Sequence, residues 1–135
     1  DTYGDQICFY YRDYPIFGDP SVYAALAAQC ANEHDLFWEY HNTLFANSGE
    51  FDVDSLVSYA TDMGIDGDDF RTCVEDQRYL DHVRLDYQAA YELGVSGTPI
   101  FFINGRPVSG ARDFEYFAPI IEEELAAATA CAAES

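Results

Sequence analysis

Lysine is absent from this sequence, and its six basic residues, all arginine, stand against 25 Asp and Glu for a formal net charge of −19. So few cations exclude binding driven by contacts to a phosphate backbone, and nucleic acid drops out as a partner. A carboxylate-dense surface is compatible with an ordinary acidic protein, and the complete absence of lysine favours adaptation to high salt, where counterions screen the repulsion. No apolar run approaches the roughly 18 residues of a membrane span. Asp1–Gln6 has no basic stretch followed by an apolar one, so the chain reads as soluble without a visible signal peptide. It begins at Asp1 rather than Met, as a processed, cropped or incomplete product would. A Cys-x-x-C is also missing: the four cysteines, Cys8, Cys30, Cys73 and Cys131, are too far apart for a redox motif or a zinc-ligand pair. Four cysteines are compatible with disulfides, but beside a real hydrophobic core they do not by themselves indicate an oxidising compartment.

The 135 residues, 49% apolar, are enough for one core and one domain. Ile7-Cys8-Phe9-Tyr10-Tyr11 is apolar and aromatic throughout and predicts a strand buried on both faces, with Cys8 packed in the core. Asp19-Pro20 predicts a helix start, with an N-cap acceptor followed by a proline whose missing N–H costs nothing there, and an Ala-rich helix to about Asn32. A second helix is expected from Asp35, with Phe37, Trp38, Tyr40, His41, Leu44 and Phe45 on one core-facing side. A third runs from about Val53 to a stop at Gly64, a short fourth from Asp68 through Cys73, and a longer fifth from Gln77 or Arg78 to Gly94. Ile100–Ile103, Asn104-Gly105 and Arg106–Val108 then predict a hairpin, because Asn-Gly tolerates the positive φ angles of a type I′ turn. A last helix covers Phe114 to about Ala127. The order is strand, five helices, strand, turn, strand, helix, and parallel-sheet logic does not explain the helical block.

Gly94-Val95-Ser96-Gly97-Thr98-Pro99-Ile100-Phe101-Phe102-Ile103-Asn104-Gly105 resembles the cis-proline loop and hairpin of the DsbA-like branch of the thioredoxin superfamily. Tyr11-Arg12-Asp13-Tyr14-Pro15, Phe37-Trp38-Glu39-Tyr40-His41 with Leu44-Phe45-Ala46, and Gly110-Ala111 follow the family's order and spacing, so the resemblance covers essentially the whole chain. It implies an α/β thioredoxin-like fold in one domain over residues 1–135. Within it, about 19–80 would be an inserted helical domain, and 1–18 with 81–135 the remnant of the thioredoxin core. The family places a first strand, the Cys-x-x-C and the helix it opens before the segment matching Asp1. The resemblance therefore implies an N-terminally truncated domain whose catalytic cysteines map to no residue here. The absent strand would lie centrally, between Ile7–Tyr11 and Ile100–Ile103. Its loss would leave N–H and C=O groups unpaired at about 1–3 kcal/mol each if buried.

For the intact protein the resemblance implies a protein disulfide oxidase or isomerase. It would work by thiolate attack on a disulfide through a mixed disulfide, with the attacking cysteine activated at a helix N-terminus. Gly97, Thr98 and Pro99 would form the substrate-binding loop: Pro99 cis against the redox disulfide, Thr98 beside the sulfurs, and the Gly97-Thr98 backbone pairing with an extended substrate. Cys30 and Cys73 would form the structural disulfide that some members carry between the corresponding helices, closing a loop worth about 4 kcal/mol. Read from the residues alone, they could equally be small buried hydrophobes. Cys8 and Cys131 are expected to be unpaired. Substrates would be reduced or misfolded extracytoplasmic proteins, with a membrane partner for re-oxidation, no cofactor, and a secreted or membrane-anchored location.

No metal site is expected, since His34, His41 and His82 lack metal spacing. Asp62–Asp69 is not an EF-hand: Gly64 stands where an acidic ligand belongs and Cys73 where the bidentate Glu belongs. The competing reading is a redox-inactive peptide-binding module of the same fold. A further one is a glutathione-linked relative such as a kappa-type transferase or an isomerase, with Ser in place of the redox motif. The residues upstream of Asp1 separate all of these.

Overall fold

The computed structural model describes the backbone of residues 1–134 and the side chains of residues 1–129. The chain divides into two compact units, Arg12–Glu92 and, separately, Asp1–Tyr11 together with the chain from Leu93 on.

The first unit is helical. It contains α1 (Asp19–Asn32), α2 (Phe37–Ala46), α3 (Val53–Asp62), α4 (Gly67–Glu75) and α5 (Leu80–Glu92). Caps explain several boundaries. Asp52 accepts from the Ser55 N–H at 3.0 Å and opens α3, and Asp66 accepts from the Asp69 N–H at 3.0 Å and opens α4. The acidic run Asp62–Asp69 therefore serves helix ends. Gly64 stops α3 at φ +85°, the left-handed region that favours glycine. α1 and α2 start differently from expectation. Gly18 rather than Asp19 occupies the N-cap of α1, with Pro20 in the first turn, so Asp19 adds its charge at the helix start and makes no cap hydrogen bond. α2 opens at Phe37, because Asp35 takes φ +58° and closes the preceding turn.

One core fills this unit: Ala27, Cys30 and Ala31 of α1 meet Tyr40 and Leu44 of α2, Leu56 and Ala60 of α3, and Phe70, Cys73 and Val74 of α4. The Tyr40 hydroxyl, fully enclosed, donates to the Leu56 carbonyl at 2.8 Å, which satisfies its polar tip inside the core. Only half of the expected α2 face is core. Tyr40 and Leu44 are buried, whereas Trp38 and Phe45 are exposed and line up with His41 at ring separations of 5.3 and 4.5 Å. The apolar stripe is wider than the groove that receives it.

The second unit holds a short 3₁₀ turn at Gly4–Gln6, a hairpin of β1 (Ile100–Ile103) and β2 (Arg106–Ser109), and α6 (Phe114–Glu134). The strands are antiparallel, Ile100 opposite Ser109 and Ile103 opposite Arg106, around Asn104 and Gly105 at φ +48° and +85°. These are the positive angles that the Asn-Gly dipeptide predicts. Phe101 packs edge-on to Phe117 of α6 with 4.9 Å between ring centres. Arg106 ties the hairpin to Glu123 and Glu124 at 2.9 and 3.2 Å. α6 runs well beyond Ala127 and passes through Pro119, which removes one helical N–H near its start.

One element expected from sequence is absent. Ile7–Tyr11 belongs to neither strand of the two-stranded sheet among the described residues. Ile7 itself is extended, at φ −125° and ψ 148°, but strand propensity does not make a strand without a ladder to join. Cys8 is consequently an exposed free thiol and not a core residue. The Cys131 side chain lies outside the described residues.

Candidate functional site

After α5, Gly94 turns the chain at φ +76° and Val95 is buried as an anchor. Ser96, Gly97, Thr98 and Pro99 then cross the surface, all exposed, and lead directly into β1. The Thr98–Pro99 peptide bond is cis. Nothing lies within 4 Å of where a Cβ would stand on Gly97, so another backbone can approach there closely. The Pro99 carbonyl accepts from the Gly110 N–H at 2.9 Å, which fastens the loop to the exit of the hairpin. The three predicted loop residues thus form one exposed, fastened turn with open backbone at Gly97.

Cys30 and Cys73 are bonded to each other, S–S 2.04 Å, and join α1 to α4. Both are buried in the helical core. A cavity of about 230 Å³ opens beside them, lined by Glu33, His34, Phe70 and Arg78 among others. Hydrogen bonds from Arg78 and then Tyr79 hold the Glu33 carboxyl below its usual range. The Glu33–Arg78 ion pair flanks the bridge, which is buried in the core and suits a structural role.

A third grouping escaped the sequence reading. Asp13 and Asp86 of the helical unit are buried side by side, only 3% and 4% exposed. Gln29 donates to Asp13 Oδ2 at 2.8 Å, the Asp13 N–H donates to Asp86 Oδ2 at 3.0 Å, and Arg12 donates to Asp86 Oδ1 at 2.9 Å. Burial pushes the Asp13 carboxyl up to about 6, opposed by the Gln29 hydrogen bond, with the Asp86 charge adding to burial and His82 acting against it. The local signal was His82 and Asp86 one turn apart on α5. Asp13 is remote in sequence and meets them only through the fold.

Comparison with known proteins gives these features a family. The model of the DSBA-like thioredoxin domain matches residues 15–122, more than half of the chain and including the loop at Gly97–Pro99. The chain belongs to the DSBA-like thioredoxin domain family. Its fold is accordingly a DsbA-like thioredoxin fold. A crystal structure of the thiol-disulfide exchange protein alpha-DsbA2 from Wolbachia pipientis superposes with a TM-score of 0.75 at 28% identity, covering 83% of this chain and 62% of that one. Among curated proteins, the Na(+)/H(+) antiporter NhaA 3 of Salinispora tropica is 37% identical over 105 residues, 78% of this chain. The Na(+)/H(+) antiporter NhaA 1 of Salinispora arenicola is 36% identical over 103 residues. The chain spans only 16% of the length of either relative. Among the described residues, no helix of this DSBA-like domain is long and apolar enough to cross a membrane.

Proposed function

We propose that this DSBA-like domain is the substrate-binding and helical portion of a thiol:disulfide oxidoreductase, with the Cys-x-x-C supplied by the polypeptide to which it belongs. The observation that carries the reading is the match at a TM-score of 0.75 to a protein named for thiol-disulfide exchange, in a chain whose Gly97–Pro99 loop is exposed and ready for strand addition. In the reaction, a thiolate from the Cys-x-x-C pair attacks a substrate disulfide and forms a mixed disulfide. The second thiolate of the pair displaces the substrate thiol, so the pair is oxidised by two electrons as the substrate is reduced; oxidation of a dithiol substrate is the reverse. This chain's contribution is to hold the substrate strand along the Gly97-Thr98 backbone beside Pro99. Cys30 and Cys73 are bonded to each other and buried in the helical core, so they are not the redox pair. Substrates would be reduced or misfolded extracytoplasmic proteins, with re-oxidation by a membrane partner.

A second reading has its own support. The antiporter relatives are some six times longer than the aligned segment, so domains of this kind occur within larger membrane-transport polypeptides and could serve there as redox-inactive peptide-binding modules. One determination separates the two: the coding sequence upstream of Asp1. A strand, a Cys-x-x-C and a helix start there support the oxidoreductase, and oxidation of a reduced model protein by the parent polypeptide should then fall when Thr98 or Pro99 is replaced. A start codon or an antiporter segment with no such motif sinks the enzyme reading and favours the binding module.

A further inference from the structure

The pair of buried carboxylates in the helical unit has a third neighbour, His82, whose side chain is half exposed (49%). Its Nε2 lies 3.5 Å from Asp86 Oδ2 and 3.9 Å from Asp13 Oδ2, and one donor atom from each residue falls within 4.8 Å of the others. From these positions we propose that Asp13, His82 and Asp86 form a zinc site with one position open to solvent, which staples the extended segment at Arg12–Pro15 to α5. This proposal departs from the sequence reading, which expected no metal site.

The donor set selects the ion. One imidazole nitrogen with two carboxylate oxygens suits zinc and its first-row neighbours, whereas calcium and magnesium prefer oxygen alone. Ligands about 2.0–2.1 Å from a tetrahedral zinc stand about 3.3–3.4 Å apart; the His82 distances of 3.5 and 3.9 Å need shifts of a few tenths of an ångström, and the two carboxylate oxygens, within 4.8 Å of one another, draw together around the ion. The oxygens facing His82 are already oriented. Asp13 Oδ2 takes one hydrogen bond from Gln29 and Asp86 Oδ2 one from the Asp13 N–H, leaving each a further lone pair toward the imidazole. Arg12 holds the second Asp86 oxygen as an outer-shell partner. Charge favours a cation as well: two carboxylates are almost wholly buried with one guanidinium, and an ion beside them compensates the second charge. The exposed side of His82 leaves the fourth position to water, the arrangement of three protein ligands and an open site.

The test uses the full 135-residue chain with Cys8→Ser and Cys131→Ser, which removes both thiols outside the disulfide as competing zinc ligands. After chelator treatment the protein is titrated with zinc alone, followed by calorimetry and by the NMR signals of its three imidazoles. The expected result is one saturable equivalent, with the His82 resonances moving and those of His34 and His41 still. Binding should weaken at least about tenfold in His82→Ala and not in the control His34→Ala. His82 is partly exposed, so its variant should fold, and Asp86→Asn provides a second loss. Absence of saturable binding overturns the proposal. So does zinc binding that His82→Ala leaves intact, which would be diffuse association with the acidic surface, and so does equal binding of magnesium. None of these outcomes bears on the oxidoreductase reading, which rests on different residues.

Discussion

Removing the Cys30–Cys73 bridge should destabilise the helical unit by about 4 kcal/mol, and the structure supplies the working. The bonded residues are 43 apart in sequence. For a loop of that length the chain-entropy relation gives about 13 cal/mol/K of lost unfolded-state entropy, or about 4 kcal/mol at 25 °C. Both residues are buried between α1 and α4, in the cluster that holds Ala27, Tyr40 and Phe70. A Cys30→Ala, Cys73→Ala double variant therefore also loses the packing of two sulfur atoms, which adds to the entropic cost. Against a domain stability of about 5–15 kcal/mol this is a large fraction. The assay is urea unfolding followed by far-ultraviolet circular dichroism, in a Cys8→Ser, Cys131→Ser background so that neither remaining thiol can reshuffle the bridge. With a slope of about 2 kcal/mol/M, the midpoint of the double variant should fall by about 2 M. A shift equivalent to less than about 1 kcal/mol would refute the reasoning, because the closed loop would then not be what the bridge contributes.

The remaining expectations concern charge and core. Asp13 carries a folded-state pKa of about 6 against an ordinary value of 3.8, so the folded state binds its proton more tightly and stability rises as pH falls from about 6 to about 4. The stability difference between the natural chain and Asp13→Asn, measured with chelator present, should change across that window by on the order of 3 kcal/mol; a difference flat with pH would show that burial does not shift this carboxyl. Leu56→Ala opens a cavity in the core shared with Tyr40 and Phe70 and should cost about 2–5 kcal/mol in the same unfolding assay, whereas Leu56→Met should cost less than about 1.5 kcal/mol. With a net charge of −19, unfolding midpoints should rise as sodium chloride is raised to about 1 M, where the screening length falls to about 3 Å; a decrease would contradict the high-salt reading of the composition.

Local patterns were legible wherever a residue's own chemistry dictates the backbone. Asn104-Gly105 marked the turn because few other pairs accept two positive φ angles. Gly64 marked the end of α3, whereas the acidic N-caps Asp52 and Asp66 ahead of α3 and α4 were not read from the sequence and emerged with the structure. Ile7–Tyr11 failed as a strand because a strand is defined by its neighbour, which propensity does not supply. The α2 stripe was overread for a similar reason. Periodicity shows which residues share a face, but not how much of that face a partner covers, so Tyr40 is enclosed while Trp38 and Phe45 remain exposed.

The sequence by itself determined the helical block, the hairpin and the acidic surface, since these follow from local patterns and composition, while the cis-proline loop at Gly97–Pro99 was implied by the family resemblance. Only the tertiary structure decided between the Cys30–Cys73 bridge that the resemblance implied and two packed thiols, and only it showed that Cys8 is exposed and that Asp13 joins His82 and Asp86. Those outcomes depend on contacts between remote segments, and the packing that makes them acts through space and leaves no trace in local spacing.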